Sequence, residues 1–126
     1  DFGTALTFTT ISKNGEILGV AITPGLKTAV RALAQNTAKL FDVPLQWPGT
    51  VMGKNTVHAI QAGVLMGYEG LVKSMIEKIR TELNDPNLQS VGTGGLVAVI
   101  PSLSETFTAV DPYLTLEGLR ITASLV

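Results

Sequence analysis

The stretch from Thr56 to Leu83 constrains this chain more than any other. Val57, Ile60, Val64, Tyr68, Leu71, Met75 and Ile79 recur there at steps of three and four, so the spacing predicts one amphipathic helix. Asn55 stands just before it, where a side-chain oxygen can accept from the unpaired amides of a first helical turn. Such a helix is long for a domain of 126 residues, and a bend or break is expected near Gly63, Gly67 or Gly70. A second pattern runs along it: Ala59, Gly63 and Gly67 fall on one line at steps of four, with Ala62 and Gly70 beside it. Small residues in a line let another backbone approach closely. That backbone could be the domain's own sheet or a second subunit.

Ahead of this helix lies a β-hairpin over residues 1–24. Residues 1–12 are rich in Thr, Phe and Ile, "SKNG" supplies an Asn-Gly turn, and "EILGVAIT" returns until Pro24-Gly25 stops it. A helix follows from Leu26 toward Leu40, with Leu26, Val30, Leu33 and Leu40 at helical spacing. "FDVPLQWPGTVMG" carries two prolines and is loop. After "NDPN", "LQSVGTGGL" is predicted as a buried strand entering a glycine turn. "VAVIPSLS" is ambiguous, "TFTAVD" is predicted as a strand, and "TLEGLRITASLV" as a last helix capped by Thr115. Strands first and β–α alternation after predict a single α/β domain spanning 1–126.

Composition removes several function classes. An apolar fraction of 45% with 15% charged residues is globular, and a formal charge of −1 argues against a nucleic-acid surface. With no Cys there are no disulfides and no thiolate metal sites, which fits a reducing compartment. No apolar run approaches the roughly 18 residues of a membrane span, and nothing resembles a signal peptide. The expectation is a cytoplasmic domain with neither nucleic acid nor membrane as partner.

Three stretches could carry chemistry. "DFGT" at 1–4 delivers Asp1, Gly3 and Thr4 together: a carboxylate for a cation, a glycine admitting an anion to the backbone, and a hydroxyl with an amide to donate. The competing view is a solvated hairpin end. A protein-kinase reading fails, because the catalytic-loop and Gly-rich-loop signatures are absent. "GTGGL" at 92–96 lets a flat ligand or phosphate reach the main chain at Gly94 and Gly95, or is an ordinary turn. "GKNT" at 53–56 opens the long helix with free amides and Lys54 nearby, and Asn55 caps it in either view. His58 has no nucleophile partner, Trp47 is a packing anchor, and Glu77, Lys78, Arg80 and Glu82 form a solvated face. No His/Asp/Glu cluster has zinc-site spacing.

In their order, "DFGTALTF", "GEILGVAITPGL", "GKNTVHAIQAG", "TGGL" and "DPYLTLEGL" resemble the second half of the type III pantothenate kinases, relatives of acetate and sugar kinases, heat-shock chaperones and actin. The resemblance spans essentially the whole chain. It implies a ribonuclease H-like domain, the C-terminal one of the two domains of an actin-like ATPase-fold kinase, with ATP and pantothenate held in the cleft between them. The N-terminal domain would bring an Asp-x-Gly-Asn phosphate loop and a Gly-x-Asp-Arg motif with the catalytic base, and neither motif is present. By the same resemblance Asp1 would ligate a monovalent cation, K⁺ or NH₄⁺, and Gly3 and Thr4 would contact ATP. Gly94 and Gly95 would be the nucleotide-side glycines. Thr56 would contact pantothenate, Mg²⁺ would bridge the phosphates, and the 56–83 helix would form a homodimer.

Where the family usually has Thr and Asp, this chain has Leu6 and Thr9; Val20 replaces a glycine and Ala62 a Ser. The implied reaction is ATP-dependent conversion of pantothenate to 4′-phosphopantothenate, the first step of coenzyme A biosynthesis, and the 126-residue chain alone is expected to transfer no phosphate. The alternatives are a non-catalytic nucleotide- or partner-binding module of the same fold, or a different small-molecule kinase.

Overall fold

The computed structural model describes residues 1–126. Strands β1 (Ala5–Ile11) and β2 (Ile17–Pro24) pair antiparallel, with Leu6 opposite Thr23 and Phe8 opposite Ala21. Gly15 takes the turn at φ +83°, and the Ser12 hydroxyl accepts the amides of Asn14 and Glu16. Alternation puts Leu6 in the core and leaves Thr9, Ile11, Val20 and Ile22 exposed.

Helix α1 (Leu26–Asn36) follows at once and buries Leu26 and Val30. It stops short of the predicted Leu40, because Thr37 turns to extended backbone. The Thr37 hydroxyl donates to the Leu33 carbonyl at 2.6 Å and accepts from the Leu40 amide, so a side chain replaces the next helical turn. Residues 37–55 form no helix or strand and are held from below: the buried Gln61 amide donates to the Pro44 carbonyl at 2.9 Å, and Trp47 packs on the core as expected.

The long helix is continuous but not uniform. It runs as α2 (Thr56–Gln61), a π-helical turn (Ala62–Met66) and α3 (Gly67–Glu82). The wide turn accommodates an extra residue, which rotates the inward face of everything after it. Hence Leu65, Val72 and Ile76 are buried, while Tyr68, Met75 and Ile79 are only half-buried. Arg80 departs from the expected solvated face. It is partly covered, pairs with Glu77 and donates to the Leu88 carbonyl at 3.4 Å.

The predicted strand at 88–96 shrinks to β3 (Val91–Gly92), and Val91 is exposed where burial was expected. It pairs in parallel with β4 (Ala109–Val110), all that remains of the strand predicted at 106–111, and a 3₁₀ turn (Pro101–Glu105) lies between them. Helix α4 (Leu114–Ser124) begins one residue before the predicted cap, with Tyr113 at the N-cap and no side-chain capping bond. Asp111 instead accepts the Tyr113 amide and turns the chain into the helix. No residue of α4 is buried, and Leu116, Leu119 and Ile121 face out.

Two residues join the small sheets. The Asp1 backbone nitrogen donates to the Thr7 carbonyl at 2.8 Å and Thr7 returns its amide to the Asp1 carbonyl, while the Phe2 amide donates to the Thr93 carbonyl at 2.8 Å and its own carbonyl accepts from Leu96. The Phe2 ring, edge-on to Phe107, enters a single core with Leu6, Leu26, Val30, Ile60, Leu65, Val72, Ile100 and Leu103. The chain is an α/β fold with one core.

Candidate functional site

The turn after Phe2 sets the site. The Gly3 amide donates to the Ala5 carbonyl at 3.1 Å, which folds Asp1–Thr4 back on the start of β1. Asp1 is exposed at this fold, and its carboxylate takes part in none of the ion pairs, which are Lys73–Glu69, Arg80–Glu77 and Arg120–Glu117.

Gly94 presses on Asp1 from the second sheet. It has φ +98°, a left-handed conformation, and a Cβ there would stand 2.5 Å from both Asp1 Oδ1 and the Phe2 nitrogen. Only a glycine admits this contact. A Cβ at Gly95 would meet nothing, so the outer face of that turn is open, while a Cβ at Gly3 would lie 3.7 Å from Asp1 Oδ1. The Asp1 carboxylate therefore sits between the Gly3 turn and the Gly94 turn, two places far apart in sequence. Thr93, next to Gly94, is buried, and its hydroxyl has no hydrogen-bond partner. A groove of about 480 Å³ runs from here between β1 and β3, lined in part by Asp1, Thr7, Thr9 and Thr93.

Thr4 is held from behind. Its carbonyl accepts the Gly25 amide at 2.9 Å and the Thr28 hydroxyl at 2.7 Å. Its own amide and hydroxyl make no hydrogen bond within the chain and are exposed. A Cβ on Gly25 would stand 2.2 Å from the Gly3 oxygen and 2.5 Å from the Thr4 oxygen, so α1 can begin against this turn only from a glycine. The Tyr68 hydroxyl, its pKa pushed up by burial, donates to the Pro24 carbonyl at 2.6 Å and ties the same corner to α3.

Thr56 lies elsewhere. It is exposed on the first turn of α2 and lines a separate cavity of about 570 Å³ with Leu33, Leu40, Lys54, Ala59 and Gly63. Asn55 caps that helix as the sequence predicts, its oxygen accepting the His58 amide at 2.9 Å, and the His58 ring is exposed. Asp1, Gly3, Thr4 and Gly94 thus share one corner with Gly95 at its rim, and Thr56 belongs to another cavity. Ala59, Gly63, Gly67 and Gly70 point outward, and a Cβ on any of the three glycines would touch nothing. The line of small residues does not serve packing on the domain's own sheet.

Sequence reasoning missed Gly25, Thr28 and Tyr68 as parts of this corner. "PG" reads only as a strand stop, and a Thr in a helical first turn carries no sign of the carbonyl it will meet.

Comparison with known proteins adds an independent line. The family model described as type III pantothenate kinase matches residues 1–78. Proteins named type III pantothenate kinase are similar to the chain in Roseiflexus sp. (strain RS-1), at 47% identity over 120 residues, and in Anaeromyxobacter sp. (strain K), at 50% over 121 residues. These alignments cover 95% and 96% of this chain and 47% of each relative, so the chain spans about half the length of the curated relatives it matches. A crystal structure from Campylobacter jejuni, described as a Baf family transcriptional activator, shares the fold with a TM-score of 0.62 at 24% identity, covering 94% of this chain and 52% of that one.

Proposed function

This chain belongs to the type III pantothenate kinase family, and on that premise we propose that it is the C-terminal, ribonuclease H-like half of an ATP-dependent pantothenate kinase. The whole protein would phosphorylate the pantothenate hydroxyl, giving 4′-phosphopantothenate and ADP, the first step of coenzyme A biosynthesis in the cytoplasm. The observation that carries this reading is the corner itself: a free carboxylate wedged between two glycine turns, beside the unused amide and hydroxyl of Thr4.

Phosphoryl transfer needs positioning and charge neutralisation more than covalent chemistry. Donors fixed before the nucleotide arrives need no reorganisation at the moment of transfer. In this reading Thr4 and the Gly3 turn bind phosphate oxygens from one side, and Gly94 and Gly95 bound the nucleotide from the other. The donor at Asp1, one exposed carboxylate outside every ion pair, fits a singly charged cation, K⁺ or NH₄⁺. That cation would supply positive charge beside the phosphates. Mg²⁺, which keeps several waters and prefers phosphate oxygens, would arrive on ATP.

The general base would come from the N-terminal domain. Thr56 would orient pantothenate in its own cavity. Ala59 and Gly63 line that cavity, and the outward line they form with Gly67 would be the homodimer contact, placing substrate close to a subunit boundary.

The test uses the two-domain protein. Thr4→Ala is expected to raise KM for ATP, and Thr56→Ala to raise KM for pantothenate, each with little change for the other substrate. The opposite split overturns the assignment, and so does ATP-dependent pantothenate phosphorylation by the 126-residue chain alone. One feature supports a non-catalytic binding module instead: Thr9 is exposed on the groove wall where the family resemblance implies a carboxylate. Leu6, by contrast, is 1% exposed and serves packing. Titration of ATP into the two-domain protein, with turnover measured alongside, separates binding from catalysis.

A further inference from the structure

We infer that Thr28 is a positioning residue for the nucleotide site: its hydroxyl fixes the aim of the Thr4 peptide, and with it the Thr4 donors offered to the phosphates. The inference rests on the kinase reading for its ligand and on the structure for its geometry. Thr28 lies in the first turn of α1, whose N-cap is Gly25. The Thr4 carbonyl therefore meets two donors from one helix start, the Gly25 amide at 2.9 Å and the Thr28 hydroxyl at 2.7 Å. A carbonyl oxygen has two lone pairs, and both are engaged.

The consequence follows from peptide geometry. A trans peptide is planar, so its carbonyl and the next amide point to opposite sides. Pinning the Thr4 oxygen toward α1 turns the following amide away from α1. The Thr4 Cα lies in that plane too, so the atom that carries the free Thr4 amide and hydroxyl is held with it. Gly25 alone would leave that plane hinged on one hydrogen bond; Thr28 supplies the second. The contact at Gly25 is already closer than any Cβ allows, so the helix start cannot slide to compensate. Thr28 is half-buried, its hydroxyl is satisfied by this bond, and it lines neither the groove at Asp1 nor the cavity at Thr56, so it has no direct part in holding a ligand.

The test compares Thr28→Val, which keeps the shape and removes the hydroxyl, with Thr28→Ser, which keeps the hydroxyl, in the two-domain protein. The expected result for Thr28→Val is a KM for ATP raised about fivefold, the worth of one hydrogen bond. The KM for pantothenate should stay unchanged, and the Ser variant should return KM for ATP to the parental value. Amide exchange in the two-domain protein adds a readout free of turnover: Thr28→Val should speed exchange at Gly25, whose amide shares the Thr4 carbonyl, while α3 amides keep their rates. A KM for ATP within twofold of the parent overturns the inference. So does an equal rise for both substrates accompanied by a lower melting temperature, because that marks a purely structural role. If the parental protein neither binds nor turns over ATP, the kinase reading itself fails and the inference falls with it.

Discussion

Glycines do opposite work in two regions of this molecule. At the Asp1 corner, Gly25 and Gly94 are crowded, with backbone or carboxylate atoms 2.2–2.5 Å from where a Cβ would stand. Along the long helix, Gly63, Gly67 and Gly70 have nothing within reach. A crowded glycine is required by this chain's own fold. An open glycine inside a helix destabilises it relative to alanine, and nothing in the domain compensates. The first region is complete in itself. The second is not explained by the domain's own packing, and the proposed subunit contact would account for it.

Variants at both places should pull this contrast apart. Gly25→Ala forces a Cβ into two carbonyl oxygens that cannot yield separately, and a loss of about 4 kcal/mol in urea unfolding is expected. A loss below about 1 kcal/mol would mean the corner relaxes easily and is not built to hold a geometry. Leu65→Ala, on the inward side of the same helix that carries the open glycines, should lose about 3 kcal/mol through its cavity, since Leu65 is fully buried. Gly67→Ala, on the outward side, should instead gain up to about 1 kcal/mol in the 126-residue chain. In the two-domain protein the same change should weaken self-association in analytical ultracentrifugation. Unaltered association would leave the line of small residues without its proposed role.

The smallest effect concerns acid. Hydrogen bonds from Lys73 and then Ser102 hold the Glu69 carboxyl below its ordinary range. A depressed carboxyl stabilises the fold above its unfolded pKa, and that contribution disappears as pH falls through the lower folded value. Ser102→Ala should therefore move the acid-unfolding midpoint slightly upward and cost well under about 1 kcal/mol at neutral pH, because the ion pair is partly exposed. An unchanged midpoint would show that Lys73 alone sets the shift.

What could be read from sequence was local. The hairpin announced itself through Asn-Gly, and Asn55 through its position before an apolar period; both are interactions within a few residues. The π turn was illegible because periodicity assumes a constant twist, so the stripe predicted through Tyr68, Met75 and Ile79 settled on Leu65, Val72 and Ile76. β3 and β4 depend on partners distant in sequence, and their two-residue lengths reflect pairing that no alternation encodes. At the site, Asp1, Gly3 and Thr4 were visible as a motif, and Gly94 as a glycine turn. Their meeting is long-range, and only resemblance to a family anticipated it. Thr28 left no mark at all, since its partner is a backbone carbonyl.

Asp1 and Phe2 are the clasp between the two small sheets, and the carboxylate proposed to hold a cation is carried on that clasp. Under that proposal, ion occupancy and mechanical stiffness would be one variable. An ion settling at Asp1 would tighten the seam along which the hairpin and the parallel pair can move apart, and its departure would slacken both at once.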